Sequence, residues 1–258
     1  MNKKKWLNIG RWTLHVVLAS GFVTLFCFAR IEYKKEACKR VIADIHREND
    51  NMFLDENDVM NVLYEIEPAG FVGVKRGDIN LLKIEKDLVK DKYVAAADVF
   101  INNQSELIVS LKERYPLLRI INKKGVSYYV DHDGKKMPFS TKFTSRVIVA
   151  NGYITGDYPN NDTLKSTVLQ DLYKLTKQIH ALPELKTAVQ QIYVNKEKQY
   201  ELVTLFGSHT VLLGDLSDLY DKLNGLIAFY KASKDKVDLS KYEAINLKYK
   251  HQIVCKKF

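Results

Sequence analysis

Hydrophobic and polar positions follow three regimes along this chain. Residues 12–29, WTLHVVLASGFVTLFCFA, contain no Asp, Glu, Lys or Arg. As a helix they reach about 27 Å, enough to cross the hydrocarbon core of a bilayer. His15 lies close enough to one end to reach the headgroups, and Trp6 and Trp12 sit where an interfacial aromatic belt belongs. From residue 38 the pattern changes to short amphipathic segments. CKRVIADIH reads as a strand, FLDENDVMNVLYEI and NLLKIEKDLVKD as helices, and YVAAADVFIN and ELIVSLKE as strands. After RYPLLRI the third regime is rich in strands. It is interrupted by amphipathic helices at TLKSTVLQDLYKLTKQIHAL and LSDLYDKLNGLIAFYK.

Local signals sharpen the second regime. Asp55 precedes the first helix as an N-cap, with Asp58 three residues later, and Leu54 and Val59 occupy the staple positions. Val59, Val62, Leu63 and Ile66 form its apolar stripe. Asn80 caps the second helix, with Leu81, Ile84, Leu88 and Val89 inward. In the last strand Leu107, Val109 and Leu111 face one way, Ser110 and Lys112 the other. Two helices can cover one face of a three-stranded sheet, making a compact module over residues 37–113. Pro116 has no amide donor and suits an edge or a bend.

In the third regime the strands are GVSYYV, KMPF, RVIVANGYI, VQQIYVN, QYELVTLF and HTVLLG, with Gly214 ending the last of them. AINLKYKHQIVCKK closes the chain with two short strand-like runs. Leu164, Val168, Leu172, Leu175 and Ile179 form the inward face of the first helix here. The fold class is therefore α+β. One N-terminal transmembrane helix precedes a β-α-α-β-β module and a larger mixed β domain with two helices.

Three readings compete for residues 12–29. A cleaved signal would place Ala29 before the cut, but Cys27 and Arg30 make a poor site. A lipoprotein needs a small residue before its modified Cys, where Phe26 stands. An uncleaved anchor fits best, leaving residues 1–11 as a short basic tail and 30–36 as a juxtamembrane linker. Lys3, Lys4, Lys5 and Arg11 lie before the span, and Arg30, Lys34, Lys35, Lys39 and Arg40 soon after it. The positive-inside rule alone does not decide orientation, but a long folded domain translocates regardless of charge. The N-terminus is therefore placed in the cytoplasm.

The net charge of +9 raises the question of nucleic acid. Four of those charges lie in residues 1–29, leaving a net of +5 on the rest, without a basic stripe interleaved with aromatics. Phosphate-backbone binding is excluded on that distribution. Cys38 and Cys255 lie far apart in sequence and are read as separate thiols.

The sequence carries no H-E-x-x-H, G-x-S-x-G, C-x-x-C or phosphate loop, and its histidines (15, 46, 132, 180, 209, 251) lack ligand spacing. Ser208 and His209 are adjacent, which on a strand sends them to opposite faces. The stretch YYVDHDGKKMP offers Asp131 and Asp133 before Gly134, as a calcium loop would. With Gly134 at position six, Tyr129 and Ser140 fall where carboxylates are needed, so the calcium reading fails. An Asp-Gly hairpin turn remains. No enzymatic role, cofactor or small-molecule substrate is expected.

The order and spacing of these pieces resemble the bacterial cell-division family FtsQ, also called DivIB. Its β-α-α-β-β module is a POTRA domain. Val94, Ala97, Val99, Leu107, Val109, Leu111, Glu113, Arg114 and Pro116 match its V-x-x-A-x-V, L-x-I-x-V and E-R-x-P patterns. Val130, Asp131 and Gly134 match V-D-x-x-G, which makes this turn the first of the second domain, residues 114–258. Leu213, Gly214, Lys222 and Leu223 match a later strand end and helix. INLKY resembles the terminal D-L-R-Y, with Asn246 for Asp, and Leu118 stands where the family has Ala.

The resemblance implies a non-enzymatic scaffold in the inner membrane at the septum, its large domain periplasmic, linking early and late division proteins. The implied partners are FtsB and FtsL, bound at an edge offered by the last strand. Tyr249 matches the family's aromatic there, and His251, Ile253 and Cys255 alternate after it as candidate contacts. POTRA modules also occur in outer-membrane assembly and secretion proteins, which is the alternative reading.

Overall fold

The computed structural model describes residues 3–48, 51–155, 163–233, 236–250 and 252–258. The chain folds as two compact units. The first spans Met1–His46 and Leu54–Lys112, the second Arg47–Phe53 and Glu113–Phe258.

In the first unit, helix α1 (Lys3–Lys35) is, among the described residues, the one helix long and apolar enough to cross a membrane. It does not stop at residue 29. It runs through most of the segment expected to be a linker. The chain then forms β1 (Arg40–His46), α2 (Glu56–Ile66), α3 (Leu81–Leu88), β2 (Val94–Ile101) and β3 (Glu106–Glu113). The sheet order is β1-β3-β2, with β1 parallel to β3. Leu107, Val109 and Leu111 of the central strand pack with Val59, Leu63, Ile84 and Leu88.

The start of α2 is a capping box. Asp55 accepts a bond from the Asp58 amide at 3.0 Å, and Asp58 accepts one from the Asp55 amide at 2.9 Å. Asn80 caps α3 through the Lys83 amide. Val89, expected on the inner face of α3, is its C-cap and 46% exposed, because the helix ends one residue earlier. Replacing Asp55 by Ala should cost the first unit about 1 kcal/mol. A chemical-denaturation midpoint that does not move would refute this.

The second unit holds a nine-stranded sheet, ordered β12-β11-β10-β9-β8-β7-β4-β5-β6. Its strands are β4 (Pro116–Ile121), β5 (Ser127–Asp131), β6 (Lys136–Pro138), β7 (Ile148–Gly152), β8 (Val189–Val194), β9 (Tyr200–Thr204), β10 (Thr210–Gly214), β11 (Tyr242–Asn246) and β12 (Val254–Lys257). The two helices expected from the sequence are α4 (Thr167–Ala181) and α6 (Leu219–Ser233), and a short α5 (Pro183–Ala188) follows α4. Pro183 starts α5 at a position where its missing N–H costs nothing. Helices cross between the parallel pairs β7/β8 and β10/β11, as parallel neighbours require. Leu118, Ile120, Ile148, Ala150, Ile192 and Leu202 bury one sheet face against Val168, Leu172, Leu175 and Ile179 of α4. Leu164, also expected there, lies before the helix and is half-buried.

Pro116 opens an interior strand, not an edge. It is the first residue of β4, beside a register shift before Leu118, and first-residue and bulge positions spare a donor. Leu118 is fully buried, paired with Val130 and Ile148. The segment Arg47–Phe53 belongs to this second unit. Phe53 packs edge-on against Tyr129 and Phe143, with ring centroids 5.7 and 5.3 Å away. Ser145 donates to the Asn51 side chain at 2.9 Å.

Candidate functional site

The two best-matched sequence motifs meet in the second unit. Arg114 donates through Nε to one carboxylate oxygen of Asp131 at 2.8 Å, and its Nη2 lies 2.7 Å from the same oxygen as an ion pair. The side chains are 9% and 6% exposed, so the pair is buried. The other Asp131 oxygen accepts the amides of Asp133 and Lys135. Gly134 takes φ +75°, and an added Cβ would lie 3.4 Å from the Tyr173 ring. Asp131 is thus committed to a turn and to Arg114. This turn is not the first of the unit, as expected, because residues 122–126 join β4 to β5 beforehand. There the Asn122 side chain accepts the Lys124 and Val126 amides. Glu113 is buried at the end of β3 and lies 3.7 Å from Arg47, and Val130 is buried in β5. These motif residues build the fold.

Beside that turn, His132 stacks on Tyr115 and meets His180 edge-on at 6.0 Å. Burial, first of all, lowers the affinity of both rings for protons. For His132, Lys177 adds to this while Glu48, Asp131 and Asp133 oppose it. For His180, His132 and Lys186 add to it. His209, whose Nε2 shares a 2.7 Å hydrogen bond with the Tyr230 hydroxyl, is shifted the same way by burial. The folded state then binds these protons less tightly than the unfolded chain. Stability is full above about pH 6.5 and declines as pH falls through that value toward the depressed folded ones. The urea midpoint of the second unit should be lower at about pH 5.5 than at about pH 7.5. The difference should shrink when His132 and His180 are both replaced by Asn. An unchanged midpoint would overturn this.

The C-terminal end of the sheet has a different character. β11 pairs in parallel with β10 on one side and antiparallel with β12 on the other. Among the described residues β12 has no strand beyond it in the sheet order. The opposite edge strand, β6, has three residues and ends on Pro138, a feature that blunts an edge.

Of the described candidate contact residues, Cys255 lies within β12 while Tyr249 and Ile253 precede it. Tyr249 lies in the connection between β11 and β12 and is 56% exposed. His251 lies outside the described residues. Ile253 precedes β12, and Cys255 is within it opposite Ile245; both are half-buried against the core. Burial raises the pKa of the Cys255 thiol. The outward positions are Val254, 44% exposed, and Lys256, with Phe258 at 79% beyond the strand. Sequence alternation put Ile253 and Cys255 on one face, and in the structure that face turns toward the core, with the strand itself beginning at Val254.

A cavity of about 430 Å³ lies beside this connection, lined by Asp218, Asp221, Lys222, Lys248, Tyr249 and Ile253 among others. Lys222 donates to the Asp215 carboxylate and carbonyl, at 3.0 and 2.9 Å. Ser217 and then Lys222 bring the Asp215 pKa down to about 2. Gly214 has φ +79°, and a Cβ there would lie 2.9 Å from Lys248. Asn246 accepts the Lys248 amide at 2.9 Å, using an oxygen that Asp supplies equally.

The sequence of this unit also matches a known family. The profile described as FtsQ/DivIB, C-terminal related, matches residues 115–256, more than half of the chain. The chain belongs to the FtsQ/DivIB family. A POTRA-like domain profile matches residues 36–112 of this FtsQ-family chain. No curated protein matches it. FtsQ/DivIB proteins are a non-catalytic scaffold kind of cell-division protein, and membership of the family points to divisome proteins as partners.

Proposed function

We propose that this FtsQ-family protein is a bitopic scaffold that links early and late division proteins by binding FtsB and FtsL. In this reading α1 crosses the inner membrane at the septum. Its N-terminus lies in the cytoplasm and both folded units lie outside. Residues 37–113 serve as the POTRA domain and residues 114–258 as the partner-binding domain. The single observation that carries the binding mode is the terminal position of β12. Its outer backbone edge is a template for one further strand. Tyr249 and Val254 would flank the added strand. Ile253 and Cys255 would support it from beneath rather than touch it, and His251 is kept as a candidate contact.

The test is capture of FtsB and FtsL from the same organism by the full-length protein in detergent. A version lacking residues 254–258 serves as the comparison. Capture by the first and loss by the second supports the edge. A folded full-length protein that captures neither partner overturns the reading.

A further inference from the structure

The first unit is fastened to the end of α1 without a spacer. The Gly77 amide donates to the Lys34 carbonyl and the Arg76 amide to that of Glu36, at 3.1 and 2.9 Å. Cys38 donates to the Val74 carbonyl, and Gly73 to that of Cys38, at 2.8 and 2.7 Å. The Arg76 side chain is 3% exposed. Its guanidinium lies 4.0 Å over the Tyr33 ring and donates to the Asn102 carbonyl and the Ser105 hydroxyl. Ser105 in turn donates to Glu36 at 2.6 Å. Residues 73–77 are thus zipped alongside residues 34–38.

This fixes a height above the membrane. Lys34 is five residues beyond Ala29, the last of the uncharged run, or about 7.5 Å along a helix. The headgroup layer on each side of a bilayer is about 5–8 Å thick. The zipped loop therefore emerges at the outer border of the headgroups. What it presents there suits them. Arg30, Lys34, Lys39 and Lys75 are exposed, and no salt bridge among the described residues ties Arg30, Lys34 or Lys75. Two of the nearby acids are engaged, Glu32 with Lys35 and Glu36 with Ser105 and Arg76, and the exposed Asp78 next to the loop leaves the cations in excess. Val72 is 63% exposed on the same loop, and Tyr33 is 46% exposed. An exposed apolar tip among cations, beside an interfacial aromatic, is the composition of a lipid-contact surface.

We propose that residues 30–39 and the loop 70–77 form a surface that lays the first unit against anionic phospholipid headgroups of the adjoining leaflet. The inference rests on the reading of α1 as a membrane span. Lysine stems reach back along the apolar surface while their ammonium groups meet phosphates. Val72 enters the layer between them.

The test uses the full-length protein with Cys27→Ala and Cys255→Ser, carrying a nitroxide on Val72→Cys. A second version carries it on Phe22→Cys. Each is placed in detergent, in phosphatidylcholine nanodiscs, and in nanodiscs that also contain phosphatidylglycerol. The Val72 label should be shielded severalfold from a water-soluble nickel relaxant in the phosphatidylglycerol discs alone. Raising salt to about 1 M, where the Debye length is about 3 Å, should remove the shielding. So should Lys34→Glu with Lys75→Glu. Equal nickel access in all three environments, with the Phe22 label still in the bilayer, overturns the proposal. Shielding that is equal in both kinds of disc overturns the role of anionic lipid. A water-exposed Phe22 label instead overturns the membrane span on which the proposal rests.

Discussion

Replacing Asp131 by Ala should destabilise the second unit by about 3–5 kcal/mol, the usual loss when one partner of a buried ion pair is removed. The Arg114 guanidinium would remain buried, 9% exposed, without the carboxylate that accepts its Nε–H and lies 2.7 Å from its Nη2. The turn amides of Asp133 and Lys135 would lose their side-chain acceptor as well. A buried charge that loses its close carboxylate in a poorly hydrated site costs more than the lost bonds themselves. The double replacement Arg114→Met with Asp131→Leu removes both charges and should recover much of the loss, since apolar substitutes for a buried pair are often neutral. Unfolding of the full-length protein in detergent, followed by a probe in the second unit, reads both. A loss below about 1 kcal/mol for Asp131→Ala would mean that the pair is effectively solvated.

Removal of residues 254–258 should weaken FtsB and FtsL binding by roughly 100-fold while leaving the second unit folded. A short added strand forms a few backbone hydrogen bonds, each worth about 0.5–1.5 kcal/mol net. Together they give about 2–4 kcal/mol, and 1.4 kcal/mol is tenfold. The deletion takes Cys255 from the flank of the core but leaves Ile245 and Leu247, buried at 0% and 3% exposure, in place. A cut at residue 242 would be uninformative, because β11 is an interior strand between β10 and β12. Titration of the two partners against intact and shortened protein measures the ratio. Undiminished affinity would move the contact away from β12.

Signals acting over a few residues were legible. The Asp55 cap, the Asn80 cap, the Asp-Gly turn and the alternation of Leu107, Val109 and Leu111 each use neighbours within four positions. Their energetics are local, so sequence spacing expresses them directly. The same logic put Ile253 and Cys255 on one face but did not say whether that face turns inward. Alternation gives a period of two, but which of the two faces meets the core is set by contacts distant in sequence. Burial against α6 set the phase, with Ile253 3.9 Å from the Cβ position of Gly225.

The uncharged run, the cap-bounded helices, the β-α-α-β-β order and the motif spacing of an FtsQ-family chain were determined by the sequence alone. Only the tertiary structure decided which strand is left at an edge, that Arg114 closes on Asp131, and that Phe53 serves one core while Leu54 serves the other. The reason is physical. Propensity and capping are properties of neighbours along the chain. Edges, buried ion pairs and core membership arise from contacts between residues distant in sequence, whose loop-closure entropy is offset only when the whole unit packs.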